Sequence, residues 1–107
     1  MSLDVWLERV QPSTVHEGNI THNLNRMAEA AGIYKALWRP EELGITTAGE
    51  LVPLLAEGLA KLEAEPEHYR TFDAPNGWGR YEDFVRFVRN YLSACREYPE
   101  ATVRVSR

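Results

Sequence analysis

Residues 81–106 read YEDFVRFVRNYLSACREYPEATVRVS, and two hydrophobic periods follow one another within them. Up to residue 98, apolar side chains recur at helical spacing and polar side chains occupy the opposite face. The apolar positions are Phe84, Val88, Tyr91, Leu92 and Cys95, and the polar ones are Arg86, Arg89, Asn90 and Arg96. Pro99 ends the helix, and the alternation over residues 101–106 predicts a strand.

The C-terminal strand needs a partner, because an isolated strand is not stable in water. Residues 4–10, DVWLERV, open with the apolar and polar alternation of a half-buried strand. We therefore predict that these two strands pair. Residues 11–13 break the first strand because Pro12 lacks the N–H that a ladder needs, and a loop is predicted from there to about Gly18.

Helical periodicity dominates the segment between the strands. Ile20, Leu24, Met27 and Ala31 have the spacing of one helical face and predict a helix over residues 20–31, capped by Asn19 and closed by Gly32. A short second helix is predicted to carry Tyr34, Leu37 and Trp38. Thr47 and Glu50 have capping-box spacing and open a helix to about residue 63, with an irregularity at Pro53.

Pro66 suits the first turn of a further short helix through Phe72, and residues 73–77 are rich in turn formers. The predicted fold is therefore α+β and mostly helical, with three to five helices. The N- and C-terminal strands are paired in a small sheet, and residues 1–107 form one domain.

Composition narrows the function classes. The 16 acidic and 12 basic residues give a net charge of -4, which disfavours nucleic acid as a partner. The single cysteine excludes an internal disulfide and a Cys-rich zinc site, and indicates a reducing compartment, which we predict to be the cytoplasm. No apolar run approaches the roughly 20 residues that cross a bilayer, so no membrane partner is expected.

Two segments are candidates for a binding site. Residues 16–25 are rich in imidazole and short polar groups, and a helical wheel started at Ile20 points His22 away from the apolar face. That face is either solvated or contacts a ligand. In the second segment Trp78 lies between Gly77 and Gly79, where the indole either plugs the core or lines a recess with Arg80.

If the two segments meet, they form one ligand-binding site. The predicted members are Thr21, His22, Asn23, Trp38, Arg39, Trp78 and Arg80. A metal site is not predicted, because the position one helical turn after His22 is the cation Arg26. Cys95 lies on the apolar face, where a thiol stays protonated, and no nucleophile or phosphate-binding motif occurs. No catalytic residue and no cofactor are assigned.

Several segments carry a family resemblance. NITHNL at 19–24, LWRPEE at 37–42 and NGWG at 76–79, with Met27-Ala28 and Ala31-Gly32, resemble a group of small uncharacterised proteins of bacteria and their phages. The similarity covers nearly the whole chain. The resemblance implies a stand-alone single-domain protein and gives no residue a catalytic role.

Three functional hypotheses follow from these patterns. The first is a small soluble binding or interaction module without catalytic activity, a monomer or weak homodimer whose partner is a small molecule or a protein. The alternative is a small hydrolase that uses His22 as general base near Thr21 and Asn23, with Arg39 or Arg80 holding an anionic group. The third is self-association through exposed aromatic side chains such as Trp6.

Overall fold

The computed structural model describes residues 2–9, 14–73 and 77–107. Within these ranges one antiparallel sheet contains three strands, which are β1 (Ser2–Glu8), β2 (Thr14–Thr21) and β3 (Thr102–Ser106). The strand order is β2-β1-β3, so β1 is central. The predicted pairing of the N- and C-terminal strands is confirmed, with Val5 opposite Val105.

Five α-helices connect or follow the strands in the described ranges. They are α1 (Asn25–Ala30), α2 (Tyr34–Trp38), α3 (Ala48–Ala64), α4 (Pro66–Arg70) and α5 (Tyr81–Glu97). Short 3-10 helices span His22–Leu24 and Pro40–Leu43. The fold is therefore α+β and mostly helical, as predicted.

The core lies between one face of the sheet and the helices. Leu3, Val5 and Leu7 of β1 point into it and are buried, whereas the side chains between them are exposed or half-buried. Helix α5 turns its predicted apolar face to this layer, and α3 packs beside it. The predictions drawn from the two regular hydrophobic periods are confirmed.

The predicted loop ending near Gly18 is wrong from Thr14 onward, because residues 14–21 form β2 and pair with β1. Strand β1 ends at Glu8, while Val10 and the break predicted at residues 11–13 lie outside the described residues. In β2, polar side chains occupy both faces of the strand, so its sequence lacks the alternation that identifies a half-buried strand.

The helix predicted over residues 20–31 is wrong in its first turn, because Ile20 and Thr21 belong to β2. Asn19 does not cap a helix; its amide donates a hydrogen bond across the sheet to Asp4 Oδ1. The Thr21 hydroxyl instead accepts from the backbone N–H of Asn23, at 3.3 Å, where the 3-10 turn begins. The apolar face was identified correctly, since Ile20, Leu24, Met27 and Ala31 are all buried.

The predicted helix signals after residue 32 are largely confirmed. Thr47 and Glu50 form the capping box of α3, and Gly32 adopts the left-handed conformation expected after a helix, with φ 78°. Pro53 does not interrupt α3. Pro66 opens α4 as predicted, although α4 ends at Arg70. The chain reversal predicted at residues 73–77 falls largely on residues 74–76, which lie outside the described residues.

Candidate functional site

A groove of about 650 Å³ lies along β2 and α5. One side is formed by six consecutive residues of β2, 16–21, and one end by the loop at residues 77–79. The opposite side consists of one stripe of α5, with further contributions from Ser2 and Leu24. The stripe contains Asp83, Arg86, Phe87 and Asn90. A sheet edge and a helix face thus enclose the same space.

The Gly-Trp-Gly loop is held against the end of β2 by backbone geometry. Gly77 and Gly79 have φ of 78° and 118°, conformations that residues with a side chain rarely adopt. A Cβ at Gly79 would lie 3.2 Å from side-chain atoms of both Thr21 and Asn23, so the loop backbone approaches closely. The Asn23 amide donates a hydrogen bond of 2.8 Å to the carbonyl oxygen of Trp78. The two segments selected from the sequence therefore meet.

The indole of Trp78 lines the groove and does not fill the core. The residue is 70% exposed, which overturns the prediction that it plugs the core. The glycines on either side let the backbone turn so that the loop packs while the ring remains at the surface. An exposed indole at the end of a groove offers a large apolar contact area to a ligand.

The seven predicted site residues fall into two groups. Thr21 and Trp78 line the groove, and Asn23 anchors the loop that carries Trp78. His22, Trp38, Arg39 and Arg80 are not among the lining residues. The outward orientation predicted for His22 is wrong, because the residue is half-buried and its ring centroid lies 6.0 Å from that of Trp38. The helical wheel began at Ile20, which belongs to a strand, so it does not give the side-chain directions in the turn that follows.

Neither Arg39 nor Arg80 lines the groove, but Arg80 lies beside its loop end. The Arg39 guanidinium lies 3.8 Å from the Glu42 carboxylate. Arg80 is exposed and immediately precedes α5, and its guanidinium lies 3.5 Å from the position that a Cβ on Gly77, a lining residue, would occupy. The recess beside Trp78 is lined by residues of β2 and α5, with Arg80 next to its loop end.

The half-buried ring of His16 stacks on Tyr91 of α5, with centroids 5.7 Å apart and planes 13° apart. Burial lowers the pKa of His16 from its ordinary value, although the carboxylate of Glu17 opposes that shift. A pKa below the ordinary value leaves the imidazole mostly neutral at pH 7. Burial also raises the pKa of Tyr91, whose hydroxyl has no hydrogen-bond partner among the described residues.

Replacing Tyr91 by Phe is expected to stabilise the protein by about 1 kcal/mol, because a buried hydroxyl without a partner costs free energy that the apolar ring does not. Tyr81→Phe is the matched control, since the Tyr81 hydroxyl donates a buried hydrogen bond of 2.8 Å to the Leu62 carbonyl. That variant should lose about 1 kcal/mol. Urea unfolding measures both changes. Destabilisation by Tyr91→Phe would contradict the buried environment described for its hydroxyl.

Among the charged side chains that line the groove, carboxylates exceed guanidinium groups by one. Glu17 is exposed, and Asp83 and Arg86 form an ion pair at 3.7 Å on α5. With His16 mostly neutral, the two carboxylates exceed the single guanidinium. The groove therefore favours a neutral or cationic ligand over an anionic one.

The described residues offer neither a reactive thiol, nor a metal site, nor a membrane-spanning helix. Cys95 is buried as predicted, and burial raises the pKa of its thiol to about 12, so it is not a nucleophile at neutral pH. Among residues 2–9, 14–73 and 77–107, no three His, Cys, Asp or Glu side chains could hold a metal ion together. None of the helices in those ranges combines the length and the apolarity that crossing a membrane requires.

Sequence reasoning selected the segments that supply β2 and the loop end of the groove, but it missed the side formed by α5. His16, Glu17 and Asn19 lay within the selected segment 16–25, which was interpreted as a loop and the start of a helix and not as a strand. On α5, Asp83 was not singled out, Arg86 and Asn90 were interpreted as a solvated face, and Phe87 was overlooked. The one available signal was the spacing of positions 83, 86, 87 and 90, which places them on one stripe of a helix.

Protein-family models, curated proteins and solved structures were each compared with this chain, and none matches it. The groove between β2 and α5 is therefore the observation from which a function is argued.

Proposed function

We propose that the protein is a binding module without catalytic activity, and that its ligand lies in the groove between β2 and α5. The observation that carries this proposal is the groove itself, whose volume of about 650 Å³ is typical of ligand sites. It combines an exposed indole with directional polar groups on Asn19, Thr21 and Asn90. Apolar contact with a few hydrogen-bonding groups is the usual composition of such a site.

Binding is favoured over catalysis by the chemistry of the groove side chains. His16 stacks on Tyr91 and Asp83 is paired with Arg86, so each of these titratable groups already has a partner on α5. The hydrolase alternative stays a prediction. It gains no support from the position of His22, whose Nε2 is buried, lies outside the groove lining and has no hydrogen-bond partner among the described residues.

Trp78→Ala tests the proposal, because it removes the largest exposed apolar surface of the groove without touching the core. Isotope-labelled protein is screened by NMR against a library of small organic fragments and, separately, pools of short linear peptides. Binders should shift resonances of residues 16–21, 77–79 and 83–90. The Trp78→Ala variant should bind the same ligands with an affinity lower by about tenfold or more, which corresponds to the loss of one aromatic contact.

Leu43→Ala is the matched control, since Leu43 is another large apolar residue at the surface, 46% exposed, and lies outside the groove. It should leave the same binders unaffected. A screen without binders, or binders that tolerate Trp78→Ala, would overturn the proposal.

A further inference from the structure

The outer edge of β2 has backbone groups that the sheet does not use. Strand β1 pairs with one edge of β2, and no backbone hydrogen bond joins the other edge to any segment among the described residues. The corresponding edge of β3 is partly covered, because the Val103 N–H donates to the Thr46 carbonyl at 2.9 Å and Thr102 bridges to Thr47. In an antiparallel strand, the N–H and C=O groups of alternate residues point to opposite edges of the strand.

The groove follows this edge. Alternate residues of a strand point to opposite faces, so a groove over one face would be lined by every second residue. Residues 16–21 line the groove without a gap, which places it along the strand's edge. Six residues of extended chain span about 20 Å, which is room for one further strand of similar length.

Helix α5 limits what can enter. It forms the opposite wall of the groove, and a Cβ at Gly18 would come within 2.9 Å of the Phe87 ring, so helix and strand are already in close contact there. A single extended segment can lie along β2 beside α5. The β2 of a second copy would bring its own α5 to the same place, which disfavours a symmetric pairing of edges.

The charges that line the groove favour one kind of peptide segment as the ligand. Glu17 and Asp83 outnumber Arg86 among the charged side chains of the groove, and the whole chain carries a net charge of -4. The exposed indole of Trp78 can also attract a cation through its ring face. Both features favour lysine or arginine in the occupant.

We propose that the ligand is a basic peptide segment of another protein, bound in an extended conformation as a fourth strand along the outer edge of β2. Main-chain hydrogen bonds to β2 supply affinity, and the side chains of the segment contact Trp78 and the carboxylates. This inference rests on the proposed function, because it names the ligand class of the same groove.

The test begins with a phage-displayed library of random linear peptides selected on the intact protein. The strongest binder is synthesised in three forms: unmodified, and N-methylated at either of its two alternating sets of residues. One methylated form should lose affinity by about tenfold or more, because its blocked N–H groups face β2, while the other form still binds. Hydrogen exchange should slow at alternate amides of β2 when the unmodified peptide binds.

Two charge-reversal variants test whether the carboxylate of the groove attracts a basic ligand. Glu17→Lys should weaken the selected peptide by about tenfold or more, whereas Glu29→Lys, an equal change on α1 outside the groove, should alter its affinity less than about threefold. Selected sequences should be enriched in lysine and arginine. Acidic selections, or equal effects of the two reversals, would overturn the basic character of the ligand.

The remaining outcomes separate this inference from the proposed function. Fragments that bind in a Trp78-dependent manner while no linear peptide is selected would leave the binding module standing and overturn strand addition. Equal tolerance of both N-methylated forms would do the same. Concentration-dependent dimerisation that slows exchange in β2 without any peptide would assign the edge to a second copy and overturn the inference.

Discussion

A chain shortened by residues 101–107 is expected to lose its cooperative unfolding transition. Strand β3 supplies one of the two partners of β1, and Ala101, which precedes β3, is fully buried. The same segment binds the helices, because the Ala101 carbonyl accepts from Ala48 N–H at 2.9 Å and the Arg107 guanidinium donates to the Trp38 carbonyl at 2.8 Å. Several hydrogen bonds of about 1 kcal/mol each and the lost apolar contacts approach the entire stability of a small domain.

Circular dichroism during heating, with sedimentation to detect aggregates, measures this effect. Removing β3 exposes the edge of β1 that β3 covers, so we expect aggregation as well as unfolding. Arg104→Ala is the control, because it removes only an exposed ion pair with Glu8, at 2.9 Å, and should cost less than about 1 kcal/mol. A shortened chain that stays monomeric and melts at the temperature of the full chain would refute the contribution of β3.

Leu92→Ala is expected to lower the free energy of unfolding by about 2–5 kcal/mol. Leu92 lies on the apolar face of α5 and is buried within the core between the sheet and the helices. Truncation removes buried methyl groups and leaves a cavity that the surrounding side chains fill only in part. The effect should appear as a lower urea midpoint with an unchanged slope.

Arg89→Ala is the comparison on the same helix. Arg89 is exposed and pairs with the Glu63 carboxylate at 2.8 Å, an interaction between solvated charges that contributes about 0.5 kcal/mol. Chemical denaturation of both variants checks the assignment of the helical faces. Similar losses of stability in the two variants would show that α5 buries a different face.

Elements with a strong period were predictable from local sequence. The apolar face of α5 and the alternation in β1 and β3 each repeat over enough positions to define which side is buried. The capping box of Thr47 and Glu50 was equally local, because its partners are three residues apart. These features determined the fold class without knowledge of any long-range contact.

Strand β2 was not predictable in this way, although the segment that contains it was selected as a candidate binding segment. An edge strand beside a groove can carry polar groups on both faces, so β2 shows no period, although it pairs with β1, its neighbour in the chain. Ile20 matched a helical face because a buried strand end and the following helix happened to share that spacing. His22 was therefore placed outward, whereas its ring lies against Trp38.

The sequence by itself determined the helical and central strand elements, the burial of Cys95, and the two segments that meet at Thr21, Asn23 and Trp78. Only the tertiary structure decided that Trp78 is exposed and that β2 and α5 enclose a groove. The physical reason is the range of the interactions. Period and capping act within a few residues, but the exposure of an indole and the free edge of a strand depend on which distant segments pack beside them.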